Sequence, residues 1–183
     1  PADGLTEVRY VFDEPRSYGI GRLTHVVDRS GETRFYYDAR GREVTVSRLL
    51  LADGVLRSET RSFDELDRET LQVYPDGSEL RSEYSARGLL YSATLRHDGN
   101  RDGALEDQPV LQSMRYNAAG QRVVEILGDL AATRNDYAYD VRLRLERLTS
   151  FGAGRYLQDW RYGYDRSGNI TVLDDGRTLA ETD

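Results

Sequence analysis

Large side chains at Trp160, Tyr162 and Tyr164 alternate with Arg161 and Gly163, the two-residue period of a half-buried strand. Asp165 to Gly168 follows as a tight turn, because an aspartate at the first position can accept a backbone N–H further on and glycine supplies the positive φ that closes it. Ile170 and Val172 then return on one face. Trp160 to Leu173 therefore predicts an antiparallel hairpin.

The same pattern recurs along the chain. Tyr10-Val11-Phe12-Asp13 is a degenerate opening copy, and a strand from Gly19 ends in Asp28-x-x-Gly31. Tyr37-Asp38 with Gly41 is a full copy, followed by Phe63-Asp64 with Asp67 in the glycine slot. Tyr84-Ser85 with Gly88, Tyr116-Asn117 with Gly120, Tyr139-Asp140 with Leu143, and Tyr164-Asp165 with Gly168 complete the series. A different turn, Tyr74-Pro75-Asp76-Gly77, joins two of these units. Asp67 suits its slot, since aspartate tolerates the left-handed conformation. Successive turn positions at 38, 64, 85, 117, 140 and 165 lie 26, 21, 32, 23 and 25 residues apart, room for two short strands and two turns per unit. The expected fold is all-β: a single array over residues 1–183 of about six tandem antiparallel β-hairpins in a curved or spiralling sheet, with residues 96–109 inserted in one hairpin loop. Residues 64–71 show weak helical spacing, but they fall on a turn copy and are read as strand.

Composition sharpens this picture. The 183 residues carry 13 Tyr against 4 Phe and 1 Trp, and tyrosine packs its ring while keeping its hydroxyl wet, which suits a sheet with much wet surface. Every basic residue is arginine, interspersed with acidic ones, and the net charge is −7. A nucleic-acid surface needs a concentrated basic patch, so no nucleic-acid partner is expected. No apolar run reaches the roughly 18 residues of a membrane span, and there is no cysteine for a disulfide, thiolate site or nucleophile.

The recurring aromatic-x-Tyr-Asp-x-x-Gly resembles the YD repeats of the RHS family, which build bacterial Rhs proteins, the B and C components of Tc toxin complexes and teneurin barrels. Gly21-Arg22-Leu23-Thr24 ahead of Asp28-x-x-Gly31 and Tyr37-Asp38-Ala39-Arg40-Gly41-Arg42, together with Tyr74-Pro75-Asp76-Gly77 and the 157–170 stretch, carry the likeness. The resemblance implies hairpins paired into a hollow shell around a toxic C-terminal segment, so the partners implied are neighbouring repeats and the toxin cargo of a parent chain. It implies a non-enzymatic structural role and a secreted or bacterial cell-surface location. With Pro1 first and no self-cleaving segment of the family's kind, the chain reads as an internal piece of such a shell. The alternative is a cell-surface adhesion or carbohydrate-binding YD module, with Trp160 and exposed tyrosines as the stacking platform. Raw sheet edges predict self-association or an edge covered by the chain's own termini.

Candidate chemistry is sparse. The turn aspartates recur once per unit, which marks them as turn formers, whereas acid-base catalysis needs one special pocket. His25 and His97 lack ligand spacing, and no Gly-x-Ser-x-Gly elbow or phosphate-binding glycine loop occurs. No cofactor is expected apart from calcium. Asp98, Asn100 and Asp102 alternate ahead of Gly103, like the first half of an EF-hand loop, with Glu106 at the ninth position, but Pro109 stands where the bidentate glutamate belongs.

Overall fold

The computed structural model describes residues 8–99, 103–128 and 132–177. Fourteen strands form one antiparallel sheet in chain order, with β1 and β14 as its two end strands among the described residues. The only helical element among the described residues is a short 3-10 turn at Arg16–Tyr18. Contacts divide the chain into two units, residues 1–81 with 96–105, and residues 82–95 with 106–183.

The first unit holds β1 (Arg9–Phe12), β2 (Leu23–Asp28), β3 (Gly31–Tyr37), β4 (Glu43–Leu50), β5 (Leu56–Phe63) and β6 (Glu69–Val73), and most of it is a run of β-branched, hydroxyl and charged residues at strand spacing. One face carries Thr45, Ser47, Ser58 and Thr60 on paired strands, and the Ser47 and Ser58 hydroxyls meet at 2.9 Å. The other carries Arg61 among Glu43, at 2.9 Å, Glu59, and Glu69 at 3.7 Å.

Strand β7 (Glu79–Tyr84) and strand β8 (Leu90–His97) follow, the latter ending where β9 (Glu106–Tyr116) is still eight residues ahead. The second unit then holds β9, β10 (Arg122–Leu127), β11 (Thr133–Tyr139), β12 (Leu145–Gly152), β13 (Arg155–Tyr164) and β14 (Ile170–Asp175). Its core is thin: Ala93, Leu111, Met114 and Val124 are buried, and among the described residues no side chain is fully enclosed. Glu125 is buried too, its carboxylate accepting from Asn135 Nδ2 and the Tyr137 hydroxyl, both at 3.0 Å. On the opposite face Asp159, 6% exposed, takes a two-pronged bond from Arg147 at 2.7 and 2.8 Å. That bond holds its carboxyl below the usual range. Polar groups this enclosed are tolerated because each is paired.

Register is fixed at one end of each hairpin. The residue seven places after a turn position pairs with the residue four places before the next one at four junctions: Thr45 with Thr60, Leu71 with Arg81, Val124 with Asp136, Arg147 with Arg161. His25 and Arg34 obey the same count, with Arg22 standing where Arg42 stands one turn later. Length differences are absorbed at the other end, in a two-residue turn at 29–30, the longer loop at Leu51–Val55, and Ala153-Gly154.

Candidate functional site

The Tyr-Asp turns are the part of this sheet that repeats in atomic detail. In each, the turn residue's N–H donates to the carbonyl four residues on, and the residue in the glycine slot donates back to it: Asp38 to Arg42 and Gly41 to Asp38, both 2.9 Å. The bonds recur at Asp64/Asp67, Ser85/Gly88, Asn117/Gly120, Asp140/Leu143 and Asp165/Gly168. The slot has positive φ throughout, from 62° at Asp67 and 63° at Leu143 to 91° at Gly168. Gly41 has a second reason to lack a side chain, since a Cβ there would lie 1.9 Å from Arg22 Nη2.

A second layer of bonds makes each turn a clamp. Asp38 Oδ1 accepts the N–H groups of Arg40 and Arg42 at 2.9 and 3.0 Å, and Oδ2 accepts Arg42 Nε at 2.6 Å. Asp64 with Arg68, and Asp140 with Arg144, repeat the arrangement. Asp165 does the same with Asn169. These carboxyls are all held below the ordinary aspartate value, chiefly by the Arg42 side chain at Asp38, the Arg68 side chain at Asp64, the Arg144 N–H at Asp140 and the Asn169 side chain at Asp165.

Lateral bonds then join one turn to the next. In the first unit Arg42 Nη1 donates to the Asp64 carbonyl at 3.2 Å and Arg40 Nη1 to that of Glu65 at 2.9 Å, and both guanidiniums reach Asp67. Arg42 also lies 4.8 Å over the Phe63 ring. In the second unit Arg87 donates to the carbonyls of Asn117 and Ala118, Gln121 to Leu143, and Arg142 and Arg144 to Arg166 and Asp165. Arg144 stacks 4.4 Å over Tyr164.

The tyrosine before four of these turns has a specific partner, while Phe63 holds that place at the 64 turn. Its hydroxyl donates to the carbonyl of the residue that opens the preceding strand: Tyr37 to Leu23, Tyr116 to Leu90, Tyr139 to Arg122 and Tyr164 to Leu145, at 2.6, 2.9, 2.8 and 2.7 Å. Burial pushes the Tyr37 and Tyr116 hydroxyls above the usual tyrosine value. These four phenols are anchored to backbone carbonyls. Sequence reasoning found the Tyr, Asp and Gly positions but missed Arg42, Arg68 and Arg144, although an arginine four residues after three turn aspartates was a usable signal.

The opening copy is a longer version of the same device. Asp13 donates to the Arg22 carbonyl at 3.2 Å and its carboxylate accepts from Gly21 N at 2.5 Å, closing a loop in which Asp13, Ser17 and Tyr18 all have positive φ. Arg22 lies 5.5 Å over the Tyr37 ring.

The calcium candidates are described only in part. Asp98 Oδ2 accepts from Gly103 N at 2.9 Å and Glu106 opens β9, while Asn100 and Asp102 lie outside the described residues. Among the described residues no three His, Cys, Asp or Glu side chains converge as a metal site. His25 Nε2 is buried and sits 3.1 Å from Glu32 Oε1 without hydrogen-bond geometry.

Residues 19–55 match the RHS Repeat family. Among curated proteins, the chain is 26% identical over 147 residues to toxin subunit YenC2 of Yersinia entomophaga, covering 78% of this chain and 14% of that protein. It is 33% identical over 108 residues to toxin subunit YenC1 of the same organism, covering 56% of this chain and 11% of that one. Among solved structures, the TcdB2-TccC3 complex superposes with a TM-score of 0.78 at 21% identity, and the Photorhabdus luminescens Tc holotoxin pore with a TM-score of 0.77 at 22%. Each covers 92% of this chain and 9% of the other. The chain thus spans a small part of the proteins it matches.

Proposed function

We propose that this chain, which is built of RHS-type YD repeats, forms a section of wall in a Tc-toxin-type shell, and that the longer protein encloses a toxic C-terminal segment within it. The observation that carries this reading is the fold likeness to TcdB2-TccC3 assemblies over 92% of the chain, supported by the two toxin subunits among its relatives. The chemistry fits a wall. The most regular side chains are spent on holding turn to turn, and the acidic residues that recur are tied to arginine or to backbone N–H groups. On this reading the chain itself catalyses nothing and the assembled protein works outside the cell that makes it. Adhesion or glycan binding is the weaker alternative, since the matched relatives are toxin subunits.

The test uses the full-length protein with its C-terminal segment. Under limited proteolysis that segment is expected to survive, and to become cleavable in an Arg142→Ala, Arg144→Ala variant that loses the bonds between the 140 and 165 turns. A segment digested as fast in the intact protein as when expressed alone overturns the proposal.

A further inference from the structure

The turn at Asp13 is the odd one of the series. The six turns from Asp38 to Asp165 each close onto the carbonyl four places on, whereas Asp13 N bonds to the Arg22 carbonyl, nine places on. Insertions into a repeat array fall in loops, and such loops are where binding surfaces are added. The inserted strap, residues 14–20, is stitched down. Arg22 Nη1 donates to the Tyr18 and Ile20 carbonyls, both at 3.1 Å, and Gly19 is buried so closely that a Cβ there would stand 2.4 Å from Thr24 Cγ2. Ser17 and Tyr18 hold left-handed backbone, φ 56° and 53°, a strained conformation that persists only where its surroundings impose it and that gathers at ligand sites.

Between the strap and β3 lies a hollow of about 350 Å³, whose walls include Glu14, Arg16 and Ser17 of the strap, Thr24 of β2, and Arg34 and Tyr36 of β3. No residue of β1 lines it, so it lies on the β3 side of the strap, inside the array. A second hollow of about 340 Å³ shares Arg34 and Tyr36 and runs on to Leu49 and Leu56. The charges around the first hollow are unspent. Among the described residues the Glu14 and Arg16 side chains enter no hydrogen bond or ion pair. Arg34 is bonded through Nε alone, to Glu32, which leaves both its Nη groups to donate.

We propose that this hollow binds a free α-amino acid with an apolar side chain, its carboxylate between Arg16 and Arg34, its ammonium on Glu14, and its side chain running past Tyr36 toward Leu49 and Leu56. Two guanidiniums and one carboxylate on the walls of one hollow match the two charges of a zwitterion. A plain anion would meet repulsion from Glu14, and a neutral sugar would leave all three charges without a counter-charge. Arginine suits the carboxylate because its planar fork can hold two oxygens at once. The inference stands apart from the shell reading: it concerns the strap and the strands beneath it, and needs no enclosed segment.

Isothermal titration calorimetry of this chain with L-phenylalanine tests the proposal. The comparators are L-phenylalaninamide, which lacks the carboxylate, and N-acetyl-L-phenylalanine, which lacks the ammonium. One saturable site is expected, weakened about tenfold or more by loss of either charge of the ligand, the scale of a hydrogen bond to a charged group. Arg16→Gln should cost L-phenylalanine a similar factor and change the affinity of the amide little, while Glu14→Gln should spare the N-acetyl compound in the same way. Both side chains are exposed and unbonded, so the fold is expected to survive each change with the same strand spectrum by circular dichroism. No saturable binding of L-phenylalanine in the millimolar range overturns the proposal. So does binding that Arg16→Gln leaves unchanged, or an amide that binds as tightly as the amino acid.

Discussion

Leu143 occupies a backbone position with φ 63° that its neighbours in the repeat give to glycine, yet it makes the same 2.9 Å bond to the Asp140 carbonyl. Left-handed backbone costs a residue with a Cβ about 1–2 kcal/mol, and glycine returns part of that as unfolded-chain entropy. Leu143 is 54% exposed and has little packing to lose. Leu143→Gly should therefore stabilise the fold by about 0.5–1 kcal/mol, read as a rise in thermal midpoint, and a fall would mean that its half-covered surface matters more than its backbone. Asp67, in the equivalent slot at φ 62°, differs because its carboxylate holds Arg40 and Arg42. Asp, Tyr and Gly were legible in the sequence because a turn is local. The partners of Arg40, Arg87 and the tyrosine hydroxyls were not, since they lie from 14 to 31 residues away and depend on register.

The two ends of a hairpin behave differently. At the Tyr-Asp end, register, turn and clamp are all fixed, whereas at the other end the connections vary from two residues at 29–30 to the loop at Leu51–Val55. A side-chain period of two means that a one-residue slip turns every side chain to the wrong face. Inserting two glycines after Leu51, in an exposed loop and ahead of the Asp53–Arg57 pair, should cost little stability because closure entropy grows slowly with length. The same insertion after Ala39 should break the Asp38–Arg42 clamp and lower the thermal midpoint by several degrees. Equal shifts for the two variants would refute the division of labour between the ends. Repeat spacing in the sequence already located the fixed end; the constancy of pairing across it became visible only when strands were laid side by side.

The whole chain carries 32 acidic residues and 25 arginines, so its balance depends on carboxylates staying ionised. For Asp38, Asp64, Asp140 and Asp165 the folded value lies below the unfolded one. The stability they contribute is present above the unfolded aspartate value near 4 and is lost as pH falls through the folded values. Asp53, lowered to about 2 by the side chain of Arg57 first and the Val55 N–H next, follows the same sign between those limits. Acid unfolding should accordingly begin below about pH 4, leaving arginines uncompensated, and a midpoint near neutrality in a pH titration by circular dichroism would show that other groups govern it. The all-β class was legible because alternation and turn residues agree in nearly every unit. The two-unit division was not, as it follows from where contacts are dense and no shift in composition marks it.

The constant pairing at the Tyr-Asp end has a consequence for how such a chain can change over generations. Units with that shared pairing have one phase at the turn, so unequal crossing-over between their coding segments at the turn codons would add or remove two strands at a time and leave each surviving side chain on its own face. Growth of the array is thereby a neutral operation for the strands that remain, while point insertions are confined to the loops of the opposite end.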